Sequence, residues 1–136
     1  MASAGWALQK AVYAALSGDA ALTARLGSNQ VFDDVPREAE FPYVAFGPTV
    51  ERDWSTGSEV GREHVFVLHV WSRHSGRRET VEVMDVVRAA LHERPLTLDG
   101  HRLINLRHEM SEVRRDEDGE TYQGIVRFRA VTEPEV

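Results

Sequence analysis

One stretch, residues 62–73, limits the fold of this chain more than any other part of it. Its residues alternate with the two-residue period of a β-strand. Even positions carry His64, Phe66, Leu68, Val70 and Ser72, and odd positions carry Glu63, Val65, Val67, His69, Trp71 and Arg73. Large apolar groups therefore stand on both faces. A strand in an antiparallel sheet with one solvated face is apolar on one side only. Each face of this strand needs a cover, and the second cover is expected to be another helical layer or another subunit.

The remaining pattern supplies helices. Leu8, Val12, Ala15 and Leu16 fall at helical spacing and predict a helix over residues 4–16, ended by Ser17-Gly18. Asp19 is placed to cap a short helix over residues 20–26, with Gly27 just past its end. Residues 77–93 read as the main helix, with Val83, Val86, Val87, Ala90 and Leu91 as its buried stripe and Pro95 as its stop. Its valines have modest helix propensity, so packing on a sheet must hold it.

Further strands are expected over residues 31–33, 42–46, 102–115 and 120–131, with Gly47-Pro48 breaking or bending the second of them. In the 102–115 strand, Ile104, Leu106, His108 and Met110 are expected to share one face. Asp99-Gly100 is a hairpin turn signal between Leu96-Thr97-Leu98 and that strand. Residues 116–119 turn into the last strand. Residues 51–61 read as a long, mobile polar loop, and residues 132–136 as a frayed tail. The length, 136 residues, fits one domain with one core. Hairpin connections dominate, so the expected fold is α+β: a single domain, residues 1–136, whose mainly antiparallel sheet carries its helices on one side.

Several chemistries lack their residues. There is no cysteine, which excludes disulfides, thiolate metal sites and a cysteine nucleophile. Sixteen basic against 22 acidic residues leave a net charge of −6, which argues against a surface that grips phosphate backbones. No uncharged apolar stretch is long enough to span a membrane. The start, Met1-Ala2-Ser3-Ala4-Gly5, has no basic and apolar signal regions, so the chain is expected to stay where it is made.

His64, His69 and His74 are five residues apart, so successive ones point to opposite strand faces, and His101 and His108 are likewise read as opposed. No metal ligands are assigned. Asp116-Glu117-Asp118-Gly119-Glu120 has its glycine in the wrong place for a calcium loop and reads as a hairpin turn. No serine sits in a nucleophile motif; Ser72 reads as a strand end before a helix cap. The arginines of the C-terminal hairpin are interleaved with carboxylates, which favours cross-strand ion pairs or a polar subunit contact over a nucleic-acid stripe. Trp71 reads either as core or as a subunit contact, and Trp6 as ordinary packing. No catalytic or cofactor-binding residue emerges.

The order and spacing of several segments resemble the phage tail-terminator, or tail-completion, family, including versions encoded by gene transfer agents. The resemblance rests on the first amphipathic helix, Val31-Phe32-Asp33-Asp34-Val35-Pro36, Phe41-Pro42-Tyr43-Val44 and the polar stretch 53–61. It continues through His69-Val70-Trp71-Ser72-Arg73, Gly76-Arg77, Arg115-Asp116-Glu117-Asp118-Gly119 and Tyr122-Gln123-Gly124. It implies a structural subunit, not an enzyme. Such subunits form a hexameric ring that caps the finished tail tube, ends its polymerisation and meets the head connector. DNA passes through the lumen. It also implies assembly in the bacterial cytoplasm and residence in a particle tail, without a cofactor or membrane. Within that frame, Val65, Val67, His69, Trp71 and Arg73 are candidate ring contacts. Trp54 in the polar loop, with Asp116 and Asp118 in the last turn, would reach neighbouring rings. A head-closure or neck protein of the same particle, a small histidine-dependent hydrolase and a stand-alone binding domain are the competing readings.

Overall fold

Local capping sets the first two helices. Ser3 accepts the backbone N–H of Trp6 at 3.1 Å and opens α1, Ala4–Ser17. Asp19 accepts the N–H of Leu22 at 2.9 Å and opens α2, Ala20–Leu26. Gly27 closes α2 in the left-handed region (φ 86°), which costs a glycine little. Strand β1, Val31–Phe32, follows, then β2, Tyr43–Asp53, and β3, Arg62–Ser72. The main helix α3 is Arg78–Leu91, followed by β4, His101–Arg115, and β5, Tyr122–Pro134. The computed structural model describes residues 3–135. Met1 and Ala2 of the N-terminal stretch and Val136 of the tail lie outside the described residues.

The five strands form one sheet in the order β1-β2-β3-β5-β4. All neighbours are antiparallel except β1, which pairs in parallel with Val44 and Ala45. The expected α+β architecture is observed. Helices pack on the even face of β3, where His64, Phe66, Leu68, Val70 and Ser72 are buried. Leu8, Val12 and Leu16 of α1, Leu22 of α2, and Val83, Met84, Val87 and Leu91 of α3 close that core. At its centre Phe128 stacks on Phe66 with ring centroids 5.4 Å apart, and His108 meets the Phe128 ring edge-on at 5.8 Å. Ser72 donates to Glu79 in the first turn of α3 at 2.6 Å, which ties the strand end to the helix.

Several expectations are corrected. The last strand does not end at 131: residues 132–134 continue it, with Thr132 opposite both Arg62 and Leu103 and fully buried. Gly47-Pro48 does not end β2. It produces a register shift between Phe46 and Thr49, after which β2 pairs on to Asp53. The β2–β3 loop therefore starts at Trp54, and it is braced. Trp54 N–H donates to Gly61 at 2.9 Å, Thr56 N–H to Glu59 at 2.8 Å, and the Ser55 hydroxyl to Asp53 at 2.6 Å.

In β4, irregularities between Leu103 and Asn105 and between His108 and Met110 each insert a residue. Every such insertion swaps the faces of the residues beyond it. Leu106 and His108 face the helices, but Ile104 is left 46% exposed and Met110 pairs with Arg127 on the opposite face. The first irregularity also puts His101, opposite Pro134, on the same side as His108, opposite Phe128. Leu96-Thr97-Leu98 contributes a single bridge, Leu98 to His101, in place of a strand.

His64 is fully buried beneath the helices. Its Nε2 hydrogen-bonds Thr132 Oγ1 at 2.9 Å, and its Nδ1 lies 3.7 Å from the Glu51 carboxylate. Burial pushes its pKa below the ordinary 6.5, with Glu51 opposing and His101 and Arg62 adding to the shift. The folded chain thus takes up this proton later than the unfolded chain as pH falls. The stability that His64 contributes is complete above pH 6.5 and is lost as pH drops below that value through its folded pKa. The expected result is a thermal midpoint that declines on acidification below pH 6.5. In that window His64→Gln should remove up to about 1.4 kcal/mol per pH unit of the slope. An unchanged slope in the variant would show that other groups carry the acid sensitivity.

Candidate assembly interface

The odd face of β3 has no helix over it. Val65, Val67, His69 and Trp71 form a partly exposed row there. Register places β2 residues Val50, Ala45 and Tyr43 beside Val65, His69 and Trp71. On the other flank β5 adds Arg129, Arg127, Ile125 and Gln123, and β4 adds Met110 beyond Arg127. His69 lies against Trp71 at 6.2 Å and accepts from the Gln123 side-chain amide at 2.8 Å. A side chain at Gly47 would run into the His69 ring, so the glycine is what lets this ring lie close on β2. Burial holds His69 below its ordinary pKa, aided by the nearby Arg114 charge. The row is therefore an uncharged, mostly apolar lane at neutral pH.

Charged pairs border the lane. Glu63 is 8% exposed and lies between Arg129 at 2.6 Å and Arg52 at 3.1 Å. Arg127 pairs with Glu109 at 3.2 Å, Arg114 with Glu112 at 2.5 Å, and Arg102 with Glu133 at 2.5 Å. Arg102, Arg114, Arg127 and Arg129 are thus engaged in ion pairs, while Arg115 donates to the Gly119 carbonyl. Glu63→Ala would leave Arg129 and Arg52 facing each other with no carboxylate between them. The expected loss is about 2 kcal/mol, since a hydrogen bond to a charged group contributes roughly 1.5–3 kcal/mol. Urea unfolding measures it, and a loss below about 0.5 kcal/mol would contradict a structural role for this pair.

The other predicted contact residues divide. Trp54 leaves β2 on the braced loop and places its ring 5.1 Å from the Arg129 guanidinium, while remaining 51% exposed. Val60 and Ile104 line the same shallow groove as Trp54. Arg73 is not part of the row, because β3 ends at Ser72. Its guanidinium lies over Phe41 at 4.3 Å, and its Nε donates to Thr121 at 3.0 Å. Asp118 accepts the N–H groups of Glu120 and Thr121 and the Thr121 hydroxyl, at 2.9, 2.8 and 2.6 Å. The Thr121 hydroxyl bond is the main cause of its lowered pKa. Arg73 and Asp118 therefore shape the turn. Asp116 accepts the Glu117 N–H at 2.9 Å and is exposed at the base of the turn, where its own N–H donates to the Thr121 carbonyl.

The two loops stand at opposite poles of the sheet. Residues 54–61 adjoin the Arg62 end of β3, and residues 116–121 adjoin its Ser72 end. An 11-residue strand separates them by about 33 Å. Contributions from β5 and β2 to the uncovered face were only half legible in the sequence. The alternation of Gln123, Arg127 and Arg129 is visible, but the strand order that sets them beside Val67 and Trp71 is not. Trp6 departs from ordinary packing: it is 51% exposed on the outer side of α1. Among the described residues no group of three His, Asp or Glu side chains could hold a metal ion. Among the described residues no helix is long and apolar enough to cross a membrane.

Residues 10–133 match the sequence profile described as tail completion protein gp17, and the chain is a member of that family. It is 29% identical over 101 residues to the tail completion protein gp17 of Bacillus phage SPP1, covering 74% of this chain and 75% of the relative. The solved structure of bacteriophage SPP1 gp17 is similar at TM-score 0.62 and 25% identity, over 93% of this chain and 89% of that one. A chain of a native gene transfer agent virion is similar at TM-score 0.89 and 32% identity, over 98% of this chain and 99% of that one.

Proposed function

We propose that this chain is the ring subunit that closes the head-proximal end of a phage-like tail tube. Six copies form the ring, which ends tube polymerisation and joins the tail to the head connector. The single observation that carries this reading is the near-complete match, TM-score 0.89 over 98% of the chain, to a chain of a native gene transfer agent virion. The uncovered lane from Val65 to Trp71 supplies copy-to-copy contact. The two poles supply contact along the particle axis: the loop with Trp54 toward one neighbouring ring and the turn with Asp116 toward the other. Capping is geometric, because one ring face matches the tube and the opposite face lacks the tube's polymerising surface. A head-to-tail contact that closes gives a ring, and one that does not gives a filament.

DNA passes through the lumen without sequence-specific contact. The net charge of −6 is compatible with a lumen that does not hold DNA. The subunit is assembled in the bacterial cytoplasm and carried in the finished tail. Polymerising purified tail tube protein with and without this chain tests the reading. Capping predicts tubes of limited length with a ring at one end in electron micrographs. Unlimited tubes, with rings found on the connector alone, would replace it by a neck role.

A further inference from the structure

We propose that a second, separate surface on α1 completes the copy-to-copy contact. In this contact the aromatic ridge of Trp6 and Tyr13 on one copy seats on the uncovered sheet face, Val65 to Trp71, of the next. This rests on the ring reading above and specifies which surfaces meet. Trp6 is 51% and Tyr13 39% exposed, and with Gln9, Lys10, Asp33 and Phe46 they line a groove of about 300 Å³. Tryptophan and tyrosine exposed on one helix face are residue types that anchor protein contacts.

Three observations select a second copy as the occupant. First, the ridge lies in the helical layer and the lane lies on the opposite side of the sheet, so no single chain can cover one with the other. A closed ring needs two different complementary patches per subunit, and these are two such patches. Second, charge favours the unlike pairing. By register the sheet face carries six arginines (52, 102, 107, 114, 127 and 129) and four glutamates (63, 109, 112 and 133), a balance of +2 in a chain of −6. Beside the ridge, Asp33 and Asp34 are exposed and make no ion pair among the described residues. Two sheet faces meeting each other would oppose like charge and leave the ridge bare. Third, strand pairing between copies is blunted at both sheet edges. β1 covers β2 only at Val44 and Ala45; beyond it Pro48 and a register shift interrupt the open side of β2, and two irregularities interrupt the β4 edge. Side-chain surfaces must then carry the contact.

The chain has no cysteine, so paired single-cysteine variants report the contact directly. Gln9→Cys protein, with the cysteine beside the intact ridge, is mixed with Val67→Cys protein in the presence of tail tube protein, oxidised mildly, and analysed by mass spectrometry and electron microscopy. The expected result is a mixed disulfide dimer, at least tenfold above either same-variant dimer, on samples with capped tubes. If a lone variant does not cap, Lys10→Cys replaces Gln9→Cys. Capped tubes without the mixed dimer, or with same-variant dimers dominating, overturn this contact and leave the capping role standing. A mixed dimer without capping keeps the contact and overturns the capping role. Neither product overturns both.

Discussion

Trp71→Asp is expected to abolish ring formation and tube capping while leaving the subunit folded. Trp71 sits on the central strand of the sheet, on the face without helices, stacked against His69. Within the subunit its truncation costs little, because its outer surface has no covering layer. Placing Asp on a strand costs about 1 kcal/mol in β-propensity, which lowers the melting temperature by a few degrees at most. In the assembly the same change puts a carboxylate into the apolar lane. Loss of a central tryptophan typically costs about 3 kcal/mol at one contact, roughly a hundredfold in its dissociation constant. A ring repeats the contact at each subunit, so closure suffers the loss several times over. Sedimentation velocity and micrographs of tubes grown with the variant measure this, with circular dichroism as the folding control. A variant that still caps tubes like the wild type would sink the assignment of the Val65 to Trp71 face.

Phe128→Ala is expected to do the reverse: a large loss of stability from a residue that no partner touches. Phe128 is fully buried on β5, between β3 and β4. It stacks on Phe66 and receives the edge of His108. Sheet on one side and helices on the other leave little freedom to collapse onto the space vacated. A buried phenylalanine cut to alanine costs about 3–5 kcal/mol. That is a large share of the roughly 5–15 kcal/mol that holds a domain of this kind. The melting temperature should fall by roughly 10–15 °C. Below its new midpoint the variant should still assemble, because the outer face is unchanged. A loss under about 1 kcal/mol would mean that the core is not centred on the Phe66 and Phe128 pair.

Features governed by near neighbours were legible in the sequence. Asp19 and Gly27 bound α2 as expected, since caps act within one turn. The alternation of β3 was also legible, because a strand points successive side chains apart whatever surrounds it. Features governed by register were not. Two single-residue irregularities in β4 turn Ile104 out to solvent and carry Met110 to the far face. Nothing local distinguishes a bulged strand from a regular one, because the insertion is defined by the partner strand. Residues 132–134 were read as a tail for the same reason: their pairing partners lie about 30 and 70 positions away in sequence.

The same division applies to the feature that constrained the fold from the start. That residues 62–72 form a strand with large apolar groups on both faces follows from the sequence by itself, because the two-residue period and the apolar side chains are local facts. Which face the helices cover was decided only by the tertiary structure. All the helices among the described residues pack on the Phe66 and Leu68 side. The strand order then sets β5 beside β3 and gathers Val67, Trp71 and Ile125 into one uncovered lane. The physical reason is that burial depends on long-range pairing, and one sequence pattern is compatible with either face turned inward until the whole sheet is assembled.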